Sequence, residues 1–242
     1  LIPANDFPTD AMFLNVIQLA ESLGVEESVV EGWIRNEGLP YVNDRGRLLF
    51  DRMQVVGWAE SHGLAAKVGF LAPERSRLPA GNKLETMLRT GGIWRDIPAA
   101  GVLSLFADIV ARLPGAPPPV RQMLKQRILV PDGISWAPVG GGLALPHLRT
   151  PISLGREAGI FSIILLRDAL KINEPIPDEE AITRLLFFVA ASPRVHLEML
   201  SQLSTALSRG SLAEVIRSQV SDEEMFGAIV QSESTDKKKG EA

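Results

Sequence analysis

Residues 139–147 read Val139-Gly140-Gly141-Gly142-Leu143-Ala144-Leu145-Pro146-His147. Three glycines lead into a short apolar run, and a histidine follows directly after a proline. The string is not a P-loop, because no Gly-Lys-Ser/Thr follows the glycines, and it lacks the Gly-x-Gly-x-x-Gly spacing of a dinucleotide fingerprint. Glycines without Cβ atoms let a partner's backbone or a phosphoryl group come close, and they expose backbone N–H groups to oxyanions. A neutral imidazole at the end of such a run is a nucleophile near pH 7.

Outward from this string, short continuous apolar runs recur at Leu143–Leu145, Ile160–Leu166 and Leu185–Ala191. Their length suits strands buried on both faces. Before and after them the apolar spacing becomes helical, over 102–113, 120–128, 193–208, 212–220 and 222–230. Strands interleaved with helices predict an α/β domain over 83–231, a mixed β-sheet flanked by helices. Gly69, Pro73, Pro79 and Gly81 mark 67–82 as a linker. Residues 1–66 carry helix signals instead. Asn15 is placed to cap a helix over 16–23 that Gly24 ends. A second helix starts near Glu26, with Val29, Val30, Trp33 and Ile34 at helical spacing, and stops at Gly38 and Pro40. Arg45-Gly46-Arg47 reads as a tight turn, and Leu48, Leu49 and Phe50 lead into a third helix that ends near Ala59. Residues 232–242 are polar, with three consecutive lysines, and are expected to form a disordered tail.

Composition narrows the chemistry. The 242 residues include no cysteine, which excludes disulfides, thiolate metal sites and thiol nucleophiles. Three histidines are too few for a multi-histidine metal site, and neither a metal nor another cofactor is expected. The net charge of −4 argues against a nucleic-acid footprint over the whole chain. No run of 18 apolar residues is present, so no membrane span is expected, and no signal-peptide pattern opens the chain. A cytoplasmic location is the corresponding expectation. The first residue is Leu1 rather than Met, as in a trimmed sequence.

The string at 139–147 resembles the phosphotransferase-system enzyme IIA domain of the mannitol, fructose and nitrogen-regulatory type, which carries Gly-x-Gly-Ile-Ala-Ile-Pro-His. Gly140, Gly142, Ala144, Pro146 and His147 match, with Leu143 and Leu145 in place of isoleucines. The family's buried strand, proline and second histidine opening a His-Leu-x-x-Leu-x-x-Leu helix have counterparts in Leu186–Ala191, Pro193, and His196-Leu197 with Leu200 and Leu203. Ser221-Asp222-Glu223-Glu224-Met225-Phe226 resembles the start of the family's last helix. The resemblance spans about residues 83–231. It implies that His147 accepts a phosphoryl group from a histidine phosphocarrier protein, HPr or its nitrogen-branch paralogue, and that His196 stabilises it. It further implies phosphate contacts from Gly140, Gly141 and Gly142. The chain departs from the family upstream. Pro131-Asp132-Gly133-Ile134 holds no arginine where the family has one, and Ala137-Pro138 stands in place of Thr-Gly. Arg127 and Arg149 are the candidate replacements.

Gly24-Val25, Val30-x-x-Trp33-Ile34-Arg35 and Gly38-Leu39-Pro40 resemble the excisionase and MerR-type winged helix-turn-helix over about 13–66. That resemblance implies DNA contacts by Arg35, Arg45 and Arg47, with Arg52 nearby. Charge points the other way: residues 1–66 hold ten acidic side chains against four arginines, a balance of −6. A duplex phosphate array repels such a surface, so DNA binding and a protein-contact or dimerisation role both stay open. For the whole chain, two functions remain: a regulator that accepts a phosphoryl group on His147 and relays that state to a partner or promoter, or a protein-binding module of the same fold without transfer. His62, beside Gly63, is expected to sit at a helix C-terminus.

Overall fold

The computed structural model describes residues 13–44, 46–65, 67, 71, 83–150, 154, 159–209 and 211–239. Arg45 and most of 67–82 lie outside that set.

The N-terminal region builds β1 (Phe13–Leu14), α1 (Val16–Leu23), α2 (Glu27–Asn36), β2 (Val42–Asp44), β3 (Arg47–Asp51) and α3 (Arg52–Ser61). Asn15 and Gln18 form a reciprocal capping box, and Gly24 closes α1 in the left-handed region at φ 63°. The β1, β2 and β3 strands form an antiparallel sheet in the order β1-β3-β2. Leu48, Leu49 and Phe50 therefore belong to a strand, and the third helix begins only where Asp51 caps Met53 and Gln54.

The rest of the chain comprises α4 (Leu84–Gly91), β4 (Ile93–Ile97), α5 (Val102–Val110), α6 (Pro118–Leu129), β5 (Ile134–Ser135), β6 (Pro138–Gly140), β7 (Leu143–Ala144), β8 (His147–Leu148), β9 (Ile160–Leu170), β10 (Ile182–Val189), α7 (Pro193–Arg209), α8 (Leu212–Arg217) and α9 (Asp222–Lys239). Seven strands make one mixed sheet with the path β4-β9-β10-β7-β6, while β8 also pairs with β10 and β5 with β8. The expected mixed β-sheet flanked by helices is thus present. The α9 backbone continues through 232–239, where the sequence predicted a tail; once a helix is nucleated, each added residue costs little even when polar.

Strand alternation sorts the core into two layers. Phe161, Ile163 and Leu165 of β9 and Leu186 and Phe188 of β10 join one cluster with α4, α7, α8 and α9. Ile160, Ile164, Leu185 and Phe187 point the opposite way, onto α5 and α6. The first cluster also contains Leu19, Leu23, Val30, Phe50, Val55 and Val56, so the N-terminal elements share that core. Leu71, from the expected linker, is fully buried in it and accepts a hydrogen bond from Arg52.

Candidate functional site

β7 and β8 are one line of chain interrupted at Pro146, which has no N–H to give to a ladder. Both halves run parallel to β10 in one register, with Leu143 opposite Arg184 and His147 opposite Phe188. Leu143, Leu145 and His147 share one face by the two-residue period, and Leu143 and Leu145 belong to the N-terminal side of the core. His147 therefore faces inward, only 2% exposed. Its ring stacks on Phe188 with centroids 5.3 Å apart.

His196 reaches the same spot from α7. Ser192 caps that helix by accepting from the Val195 N–H at 3.3 Å, and Pro193 opens it. The His147 and His196 rings meet edge to face at 4.6 Å. His196 is buried and its Nε2 has no hydrogen-bond partner. Burial first, and the neighbouring His147 second, push its pKa well below the usual histidine value, so it is neutral.

Two further residues complete the cluster. Glu60 of α3 brings Oε1 to 2.9 Å from His147 Nε2, with both side chains almost fully buried. Its Oε2 accepts from Ser135 Oγ at 2.6 Å, and Ser135 lies directly across β5 and β8 from His147. The Glu60 Oε1 approach is an ion pair by distance. It lacks hydrogen-bond alignment, so Oε1 has no hydrogen-bond partner, and the charge attraction is the part of the contact that carries weight. On the far side of the ring, Nδ1 donates to the Leu145 carbonyl at 2.7 Å. Burial, the largest single influence, pulls the His147 pKa down. The Glu60 charge and close contact, together with the Leu145 carbonyl, outweigh it and leave the pKa raised, against a smaller opposing push from Arg149.

Sequence reasoning missed Glu60 and Ser135. One signal for Glu60 was present: it stands four residues after the buried Val56, on the apolar side of α3. Ser135 gave none beyond lying between Ile134 and Trp136.

Of the arginine candidates, Arg149 is the one whose charge reaches His147. It follows His147 by two residues and is held by the Asp132 carbonyl at 3.1 Å and Glu174 at 3.2 Å. It lines an open cleft of about 500 Å³ with Ser61, Trp136 and Lys171. Arg127 is half-buried on α6 and is not among the partners of His147.

The glycines are elsewhere, which corrects the expectation that they cradle a phosphoryl group on His147. Gly140 ends β6 and Gly141 and Gly142 turn the chain into β7, with φ values of 92°, 63° and 66°. His147 lies five positions beyond Gly142 along extended chain, about 16 Å at strand rise. The Gly141 N–H already donates to Asp178 Oδ2 at 2.6 Å. An internal carboxylate thus fills the place assigned to phosphate.

In the N-terminal region, Glu26, Glu27 and Glu31 are exposed along α2, and Arg35 lies 4.0 Å from Glu31. Arg47 is exposed on β3, and Arg45 lies outside the described residues. Arg52 is buried against the Leu71 carbonyl and is unavailable to DNA phosphates, a second correction. His62 ends α3 as expected, with Nδ1 donating to the Trp58 carbonyl at 2.8 Å. Among the described residues, no acid, histidine and cysteine cluster suits a metal ion, and no helix is long and apolar enough to cross a membrane.

No family model matches the chain. Two nitrogen regulatory proteins, from Shigella flexneri and Escherichia coli (strain K12), are each 25% identical to it over 136 residues, which cover 55% of this chain and 78% of theirs. The chain is thus distantly similar in sequence to nitrogen regulatory proteins. A Streptococcus pyogenes M1 GAS chain described as a PTS IIA domain overlaps 62% of this chain and 97% of its own length, with 15% identity and a TM-score of 0.38. That overlap is too low to bear on the fold.

Proposed function

We propose that this protein is a regulator of enzyme IIA type in which His147 Nε2 accepts a phosphoryl group from a phosphohistidine carrier protein. The observation that carries the reading is the meeting of His147 with His196 at 4.6 Å in a site where the Leu145 carbonyl fixes the tautomer. With Nδ1 holding a proton for that carbonyl, the lone pair of neutral His147 lies on Nε2. That pair forms the new N–P bond as the donor's P–N bond breaks, and the electron pair of the broken bond returns to the donor's imidazole. Neutral His196 carries one N–H, which as an Nε2–H tautomer donates to a phosphoryl oxygen. Arg149 supplies positive charge in place of the arginine missing upstream. The similarity to nitrogen regulatory proteins supports a signalling role.

The full chain, incubated with phosphoenolpyruvate, enzyme I and a histidine phosphocarrier, gains one acid-labile phosphate, and His147→Ala abolishes it. Label that persists in the variant refutes the assignment.

The burial of His147 against Glu60 favours a second reading, a binding module that has lost transfer. Under it the wild-type chain takes no label yet still binds the carrier in a pull-down. For the N-terminal region, the exposed acids of α2 favour a protein contact over a DNA duplex.

A further inference from the structure

Glu60 lies where the incoming phosphorus must be. A near-attack geometry places the reacting atoms about 3–3.5 Å apart, and Glu60 Oε1 stands 2.9 Å from His147 Nε2. The contact also settles the proton. Nδ1 already donates to Leu145, so a neutral His147 would turn the Nε2 lone pair toward a carboxylate oxygen, two acceptors face to face. The contact is stable only with the ring protonated on both nitrogens, its positive charge facing the carboxylate, and a protonated Nε2 has no lone pair with which to attack phosphorus.

We infer that Glu60 holds the place of the phosphoryl group at His147, so that docking of α3 and phosphorylation of His147 exclude each other. The inference rests on the acceptor reading of His147. Both occupants are anionic, and both fit the same surroundings: Ser135 Oγ donates to Glu60 now, and it becomes a donor to a phosphoryl oxygen once the carboxylate leaves. His196 Nε2, buried without a partner, is a second polar atom free to meet the new anion. Ser135 is therefore assigned as a positioning residue of the acceptor site. The docked state also buries Val55, Val56 and Ala59 of α3 in the core shared with the sheet, so withdrawal of Glu60 moves the helix and exposes apolar surface. In the open state the Nε2 proton leaves to solvent and the freed lone pair attacks. Once His147 carries a phosphoryl dianion, the Glu60 carboxylate is repelled and the N-terminal region stays released. The region is then both the lid over the acceptor and the part of the protein that phosphorylation hands to a partner.

The test uses the full chain and potassium phosphoramidate, a small donor that needs no carrier protein. The initial rate of acid-labile mass gain is read for wild type, Glu60→Gln and each of these with His147→Ala. If the open state is populated at about 1–10% in wild type, Glu60→Gln accelerates labelling of His147 roughly ten- to hundredfold. A second variant works in the opposite direction. A Cβ at Gly63, just past α3, would lie 3.4 Å from Pro175 Cβ, close to the usual disulfide spacing of about 3.5–4.5 Å. The chain has no other cysteine. Gly63→Cys with Pro175→Cys therefore tethers α3 when oxidised, and the left-handed φ at 63 affects both redox states alike. Oxidised protein labels about tenfold or more slower than the same protein after reduction. Wild-type rates in Glu60→Gln, or equal rates in the two redox states, overturn the inference and leave His147 as acceptor. Label that survives His147→Ala in the Glu60→Gln background, or no label in any protein, instead refutes the acceptor reading beneath it.

Discussion

Ser135→Ala removes one hydroxyl from the junction between α3 and the sheet. The residue is 1% exposed, and its Oγ donates at 2.6 Å to Glu60, itself nearly fully buried. Among the described residues no other donor satisfies the Glu60 carboxylate by hydrogen bonding, and its Oε1 faces the charge of His147 without a hydrogen bond. A hydrogen bond to a charged group contributes about 1.5–3 kcal/mol, and more of that is lost when the acceptor stays buried. For a chain of this size 1 kcal/mol moves the melting midpoint by about 2–4 °C, so the expected fall is roughly 3–12 °C. Differential scanning calorimetry measures it, with far-ultraviolet circular dichroism confirming that the variant is folded. A double-mutant cycle with Glu60→Gln then isolates the pair. Groups in direct contact couple by about 0.5–3 kcal/mol, whereas independent sites add within about 0.3–0.5 kcal/mol. A midpoint unchanged within about 1 °C, or strict additivity in the cycle, refutes the idea that Ser135 and Glu60 clamp α3 onto the sheet.

Stability should depend on pH through His147 and His196. The folded-state pKa of His147 is raised, so its contribution is fully present below about 6.5 and declines as pH rises through the folded value; denaturant titrations should show that alkaline decline in wild type and lose it in Glu60→Gln. His196 has the opposite sign. Its pKa is depressed by burial, so stability falls as pH drops below about 6.5, and His196→Gln should flatten that acid limb in the same titrations. Gly91→Ala should be severe, because a Cβ there overlaps the Phe161 carbonyl and crowds Ser162 Oγ; loss of at least about 1–3 kcal/mol is expected, and a calorimetric midpoint equal to wild type would contradict that packing. The full chain should bind random duplex DNA more weakly than about 10⁻⁴ M near physiological salt, and micromolar binding in an anisotropy titration would restore a DNA-reading role for Arg35, Arg45 and Arg47.

Local chemistry was legible in the sequence wherever a signal lies within a few residues of what it controls. Asn15 and Gly24 bound α1 as their side-chain and backbone preferences require. The apolar runs at 160–166 and 185–191 became the buried parts of β9 and β10, because only strands covered on both faces lack polar alternation. The two histidine strings could be singled out from their own spacing and family pattern. Other signals misled for want of context. Three glycines before a histidine suggested a phosphate cradle, but an intervening strand carries them about 16 Å away, and Asp178, from a distant loop, accepts from the Gly141 N–H. Leu48, Leu49 and Phe50, read only as leading into the third helix, form a strand because Val42, Asn43 and Asp44 lie alongside to pair with 47–49. The site itself was decided by tertiary structure. Glu60 and Ser135 are 75 residues apart, and no local preference of either chain segment encodes their meeting. Burial of α3 in a common core sets Glu60 against Ser135 and His147, because that packing brings a carboxylate out of water where a hydroxyl donates to one oxygen and an imidazole faces the other.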